Sequence, residues 1–411
     1  MRAALVAATM LSCMVATPGL AQNQPAGKDL PVFRIGVLND QSSLYSDIAG
    51  PGSVTAAQMA VADFKPETHG FRVEVVAADH QNKADVGSSI ARRWYDVDKV
   101  DAILDVPTSS VALAIADITR DRNKAFLVAS AGTSDLTGKA CTPNTVHWTY
   151  DTWALANGTA KAMAKQGGDT WYFLTADYAF GHALERDAAE VVKATGGKVL
   201  GRALAPFQTS DFSSFILQAQ GSGAKVVALA NSGGDTINSV KQAAEFGLTQ
   251  KQKLVSLLIF LSDIHALGLK TAQGLMLTNA FYWNHNDGTR AFSKAFGEKN
   301  GGRMPTMNQA GSYAATLHWM KAIAAMDKTK ARDGTAVVDK MKQMPTDDPL
   351  FGKGHIRPDG RTIHDMYLWQ VKAPEESKGP YDYLKLVAVI PGDEAFRPMS
   401  AETCPMLKKA G

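Results

Sequence analysis

Short apolar runs alternate with stretches of helical periodicity along most of the chain. The first series holds VFRIGV (32–37), RVEVVAA (72–78), DAILDV (101–106) and AFLVAS (125–130), with helical patterns over 85–96 and 109–120 between them. The second holds TWYFLT (170–175), VLGRAL (199–204), VVALAN (226–231) and LVSLLI (254–259), with helical patterns near 181–195, 211–220, 235–246 and 262–268. Uninterrupted apolar runs of this length read as strands covered on both faces, and parallel neighbours need a crossover helix between them. The pattern predicts an α/β protein of two doubly wound βα lobes.

The rest of the chain departs from that alternation. Helices are predicted over 308–326 and 334–344, followed by MYLWQV (366–371) and YLKLVAVI (383–390). No crossover helix separates these last two runs. They read as an antiparallel finishing piece, turned at PEESKGP (374–380). A length of 411 residues also exceeds the roughly 250–300 at which a single core tends to split, which agrees with two domains.

The N-terminus carries Arg2, an apolar stretch from Ala3 to Val15, and small residues at Gly19 and Ala21. Residues 1–21 read as a secretory signal peptide cut after Ala21, because the stretch falls short of the ~20 residues that span a bilayer. Cleavage would remove Cys13, one of three cysteines, and leave Cys141 and Cys404. In an oxidising compartment such a pair reads as a disulfide tying the C-terminal tail to an earlier loop; two buried free thiols are the other reading. With 43 Lys and Arg against 40 Asp and Glu, a net charge of +3 gives no footprint for nucleic acid.

Ligands of doubly wound sheets bind beyond the carboxyl ends of the strands. Those positions read NDQSS (39–43), PTSS (107–110), SAGTS (130–134), TADY (175–178) and NSGGD (231–235). Each precedes a helix, where free amides and the helix dipole favour an anion. One such loop is an ordinary N-cap; five from two lobes indicate a cleft. No GxxxxGK[ST] phosphate loop and no GxSxG elbow occurs. GPGSVT (50–55) begins like a dinucleotide fingerprint, but Thr55 stands where the third glycine belongs. The nine histidines are dispersed without an HExxH, so neither a metal nor a cofactor is called for.

Five strings, FRIGVLNDQSSLYSDIAGPG, VPTSSVALAIAD, VASAGTSDLTGKAC, TADYAFGHALERD and LANSGGDTINSVKQAAEFG, come in an order that resembles the type I periplasmic substrate-binding proteins of ABC importers. Within them the chain is similar to the leucine/isoleucine/valine-binding branch, from Val32 to Ile390. The resemblance implies a Venus flytrap. Lobe 1 would hold 32–148 and 279–348, lobe 2 would hold 149–278 and 349–392, and 393–411 would form a tail. Chain crossings are expected near 147–149, 278–281 and 348–352. The implied function is a monomeric periplasmic receptor that closes on a small carboxylate-bearing solute and delivers it to an inner-membrane ABC permease. A sensory binding protein that presents its ligand to a receptor kinase would look the same. A periplasmic hydrolase is the remaining alternative, and it lacks a nucleophile beside a base.

The resemblance also suggests site residues. Thr108 and Ser109 fall where relatives bind the ligand carboxylate, Ala131 and Thr133 likewise, and Tyr45 where an aromatic ring covers the ligand. Tyr178 and Phe180 would form the lobe 2 wall, Asn231 and Asp235 would face them, and Asp151 is a hinge or pocket candidate. Amino-acid binders of this family hold the α-ammonium with an acid after a lobe 2 strand. Here that stretch is LLIFLSDIHALG, with Ile259 or Phe260 at the acidic position and Asp263 a few residues on. Unless Asp263 reaches the pocket, an α-ammonium would sit unpaired in a dry cleft at a cost of several kcal/mol. The solute is then an amino acid if Asp263 reaches the pocket and an aromatic or other organic acid if it does not, with Trp153 and Trp283 either offering stacking surface or packing the hinge.

Overall fold

The central strands of the first sheet are too apolar to face water. β1 (Val32–Asn39), β2 (Arg72–Asp79), β3 (Ala102–Asp105), β4 (Ala125–Val128) and β5 (Thr145–His147) pair in parallel in the order β2-β1-β3-β4-β5. Every residue of β3 and β4 is buried, as strands covered on both faces must be. The covering helices are α1 (Gly50–Phe64), α2 (Ala84–Asp96) and α3 (Ser109–Asp121). These coordinates are a computed structural model that describes residues 30–400 and 402–408. The signal peptide read over 1–21, with its cleavage after Ala21, lies outside the described residues.

The second sheet repeats the scheme. α4 (Thr152–Lys165) leads to β6 (Thr170–Ala176), α5 (Ala179–Ala194), β7 (Lys198–Ala205), α6 (Ser213–Gly221), β8 (Val226–Ala230), α7 (Gly234–Glu245) and β9 (Lys253–Ser256). The strands are parallel in the order β7-β6-β8-β9. Strand order reverses between β1 and β3 in one sheet and between β6 and β8 in the other. The loops after these four strands diverge and leave a crevice. They are the polar loops read from sequence.

α8 (Leu261–Leu267) and α9 (Leu269–Ala272) bring the chain to β10 (Met276–Asn279), after which α10 (Asp287–Lys299), α11 (Met307–Ala324) and α12 (Gly334–Gln343) return to the first lobe. There α11 packs on α1, and Trp319 meets Phe33 edge-on at 6.3 Å. β11 (Thr346–Asp348), β12 (Gly352–Ile356) and β13 (Thr362–Ile363) form a small antiparallel sheet. β14 (Met366–Val371) and β15 (Leu384–Ile390) are antiparallel as expected, and both join β10 in a sheet ordered β10-β14-β15. The tail starts with α13 (Gly392–Ala395).

Three passages link the lobes: after β5, after β10 and before β14. The third lies later than the 348–352 read from sequence. β12 packs on α12, and Arg361 bridges His147 at the end of β5, so the chain stays beside the first passage until His364. His364 Nε2 lies 3.2 Å from the Trp148 carbonyl, and the Arg361 guanidinium donates to the Tyr150 carbonyl at 2.8 Å. Cys141 and Cys404, 263 residues apart, are joined in a disulfide with Cα atoms 5.7 Å apart. Of the two readings of these cysteines, the bridged one holds.

Candidate functional site

On the lobe 1 side the cleft rests on a buried polar platform. At the end of β3, Asp105 and Val106 take left-handed backbone angles, φ 84° and 52°, which a β-branched residue adopts only under constraint. The constraint is visible. The Asp105 carboxylate accepts from Asn39 Nδ2 at 2.7 Å and from the Ser130 hydroxyl, while Asn39 also donates to the Gly50 carbonyl at 2.9 Å. Burial pushes the Asp105 carboxyl up to about 6 against these stabilising donors.

This kink delivers the chain to the N-terminus of α3. The Thr108 hydroxyl donates to Asn82 Oδ1, and Ser109 Oγ accepts the Thr133 N–H at 3.2 Å. Thr133 Oγ1 in turn accepts the Asp135 N–H at 3.3 Å. The Ala131 carbonyl lies 2.6 Å from His147 Nε2. A carbonyl only accepts, so Nε2 carries the proton; burial depresses this imidazole's pKa and keeps it neutral. The loops 107–110 and 130–134 are thus tied to each other and to β5.

Lobe 2 contributes a wall of a different kind. Tyr178 and Phe180 open α5, with ring centroids 6.0 Å apart. Tyr178 packs on Phe207 at 4.5 Å, Phe207 reaches Tyr45 at 5.6 Å, and the Tyr45 and Tyr178 hydroxyls are hydrogen-bonded across the cleft. Burial holds both phenols well above their ordinary range, so both stay neutral. Gly233, at φ 60°, stands where a Cβ would lie 3.0 Å from the Leu44 carbonyl and 3.1 Å from the Tyr45 ring. Only glycine allows the lobe 2 backbone to come this close.

Between these faces lies a narrow cavity of about 10 Å³, so the cleft is all but closed on its own lining. Its aromatic lining is Tyr45, Tyr150, Tyr178 and Phe180, and Ile48, Pro107 and Leu258 add apolar surface. The remaining lining comes from Ser130, Gly132 and Ser232. Thr108, Ser109, Ala131 and Thr133 do not line it; they lie one or two residues along the chain from the lining positions Pro107, Ser130 and Gly132. From the LLIFLSDIHALG stretch it is Leu258 that lines the cavity, one residue before the expected Ile259 or Phe260, which are buried in the cores.

The other sequence candidates are placed differently. Asp263 Oδ2 accepts the Phe260 N–H at 2.9 Å and closes the first turn of α8; burial pushes it up to about 7. Asp151 caps α4 through the Ala154 N–H at 2.8 Å and sits 3.7 Å from Arg361, so it belongs to the hinge. Asn231 is spent on Ser239 and Thr236, at 2.9 and 2.8 Å. Asp235 is buried, with Oδ2 accepting the Gln208 N–H at 3.2 Å and Oδ1 without a partner; burial pushes it up to about 7. Ser232 Oγ, on the cavity, is likewise buried without a partner. Trp153 stacks under Arg397 at 3.8 Å, and Trp283 donates to the Tyr381 carbonyl at 2.7 Å, so neither faces the cavity. Sequence reasoning missed Phe207 and Tyr150. The signal for Phe207 was an aromatic residue in the polar stretch PFQTSD, and Tyr150 adjoins the first passage.

Among the described residues no group of three or more His, Cys, Asp or Glu side chains is placed to hold a metal ion, and no helix is long and apolar enough to cross a membrane. The family profile of periplasmic binding proteins matches residues 32–380. A periplasmic binding protein from Burkholderia mallei is 48% identical, with a TM-score of 0.88 over 92% of this chain and 99% of that one. A branched chain amino acid ABC transporter periplasmic ligand-binding protein from Burkholderia xenovorans LB400 is 40% identical, with a TM-score of 0.80 over 91% and 99%. A solute binding protein of an ABC transporter from R. palustris, in complex with 4-hydroxybenzoate, shares the fold at 22% identity and a TM-score of 0.79 over 88% and 97%. A comparison with curated proteins gives no match. The two lobes, their switch-point loops and these matches place the chain in the periplasmic binding protein family of ABC transporters, as a type I solute-binding protein of the leucine/isoleucine/valine-binding kind.

Proposed function

We propose that the chain is the solute receptor of an ABC importer and that its solute is a small aromatic or other organic acid without an α-ammonium group. Lobe 1 (32–148 and 279–364) would hold the carboxylate and lobe 2 (149–278 and 365–392) would close on the ring, before the closed form meets an inner-membrane permease. Residues 1–21 would export it. The observation that carries this reading is the cavity lining: four aromatic side chains and Leu258, with no carboxylate among them. The N-terminus of α3, its Ser109 and Ser110 amides, and the Thr133 hydroxyl supply donors for the acid end. The fold-level relative bound to 4-hydroxybenzoate supports the same ligand chemistry.

One observation favours a second reading. The unpartnered, buried Oδ1 of Asp235 is an acceptor that a ligand ammonium could satisfy. Calorimetry and thermal shift with benzoate, 4-hydroxybenzoate and leucine separate the two. The expected outcome is binding of the aromatic acids, with stabilisation of about 2.7 kcal/mol at a hundredfold excess over Kd. Binding of leucine alone would establish the second reading, and no binding of either class would overturn capture of a carboxylate of this size.

A further inference from the structure

Outside the cavity, one carboxylate gathers parts of the chain that the fold otherwise keeps separate. Asp187 lies on α5 of lobe 2 and is fully buried. Its Oδ2 accepts the Ser134 hydroxyl at 2.7 Å and the Thr152 hydroxyl at 2.6 Å; its Oδ1 accepts Arg186 Nε at 3.0 Å and Arg397 Nη2 at 3.3 Å. Ser134 ends the lobe 1 loop whose Ser130 and Gly132 line the cavity. Thr152 stands on the first passage between the lobes, and Arg397 belongs to the tail.

Two further sets of contacts reinforce this node. Arg186 also reaches across the lobes, donating to Asp135 at 2.9 Å and to Ser134 Oγ at 2.8 Å. Arg397 is forked onto Glu190 of α5 at 2.7 and 2.9 Å, and the tail that carries it is fastened to lobe 1 by Cys404–Cys141. The tail is thus covalently bound to one lobe and ion-paired to the other. A carboxylate with four donors in a buried site is strongly tied to its geometry, because breaking any part leaves a buried charge or donor unpaired.

We infer that Asp187 is a positioning residue that holds the ligand loop 130–134 against lobe 2, and that the disulfide-anchored tail clamps this contact through Arg397. Together they set how far the ligand-free protein closes. Neither touches the cavity, and a shift in closure needs no ligand to be seen. The consequence can therefore be read whether or not the proposed organic acids bind.

Spin labels on Arg92→Cys and Lys241→Cys, exposed positions on α2 and α7, report the distance between the lobes with the native disulfide intact. In ligand-free protein the unmodified background is expected to give one short-distance population. Asp187→Asn, which keeps the shape and removes the charge, is expected to add a longer-distance population, and Ser134→Ala a smaller one. Circular dichroism and a cooperative melt confirm that each variant is folded, and Ser134→Ala serves as the readout should Asp187→Asn fail to fold. Reduction of Cys141–Cys404 is expected to lengthen the distance as well. An unchanged distribution in the folded Asp187 and Ser134 variants would overturn the positioning role, and an unchanged distribution on reduction would overturn the clamp.

Discussion

The two faces of the cleft are built on different physical terms. The lobe 1 face is a polar platform: Asp105 accepts from Asn39 and Ser130, and Ser109 accepts the Thr133 N–H, under a strained turn. The lobe 2 face is aromatic surface and glycine, with Ser232 Oγ and Asp235 Oδ1 buried and unpartnered. Hydrogen bonds between its loops hold the platform's shape without ligand, whereas a wall of ring contacts can rearrange when something enters. Lobe 1 is therefore the preorganised half, and lobe 2 is the half that adapts on closing.

The sharpest separation is expected in the pH dependence of stability. Asp235 rises from 3.8 unfolded to about 7 folded because burial penalises its charge. The folded state then binds the proton more tightly, so this contribution is complete below pH 3.8 and is lost as pH rises to about 7. The loss is about 4 kcal/mol at most, and Asp263 adds its own loss over the same window. Asp235→Asn should flatten this part of the slope and raise stability at pH 8, as followed by urea unfolding across the range. An unchanged slope would show that Asp235 is solvated and that lobe 2 carries no buried, unpartnered acid.

The next expected effect is on the platform itself. Asp105→Ala removes the acceptor of Asn39 and Ser130 and should cost about 3 kcal/mol of unfolding free energy at pH 7. Asp235→Ala at the same pH deprives backbone N–H groups alone, that of Gln208 at 3.2 Å and that of Thr209 beside it, and should be close to neutral. Equal losses in urea denaturation would break the contrast between a preorganised lobe and an adaptable one.

The sheets were legible because their central strands β3, β4 and β8 are short apolar runs, and the cleft because its loops follow such runs. The misses have physical causes. α1 was not read because it opens on Gly50, Pro51 and Gly52, residues more common in turns, although proline suits the first turn of a helix. α4 buries Ala154, Leu155, Ala156, Asn157, Gly158 and Thr159 in one unbroken stretch, so no polar face marks its period. Asp263 and Asp151 were drawn towards the pocket by their place in the chain, but both are consumed as helix caps. The Asp187 node could not be read at all, since Ser134 is 53 residues away from it and Arg397 is 210.

Among the binding predictions, the hydroxyls of the loops 107–110 and 130–134 come first. Thr133→Ala should weaken 4-hydroxybenzoate binding by about 2 kcal/mol, the scale of a hydrogen bond to a charged group, and Thr108→Ala by less, because its hydroxyl proton is already given to Asn82 Oδ1. Unchanged affinity in both, measured by calorimetry, would remove these hydroxyls from the site.

The smallest effect is expected where the two faces meet. Tyr178→Phe keeps the ring contacts to Phe207 and Phe180 and removes one hydroxyl, which leaves the buried Tyr45 hydroxyl without its partner across the cleft. Affinity should fall by about 1 kcal/mol, and Tyr45→Phe should cost a similar amount. Because each single change strands the other phenol, the double variant should lose less than the two singles together. Additive losses would mean that the phenols do not seal the closed cleft, and that the lobe 2 wall meets lobe 1 through its rings alone.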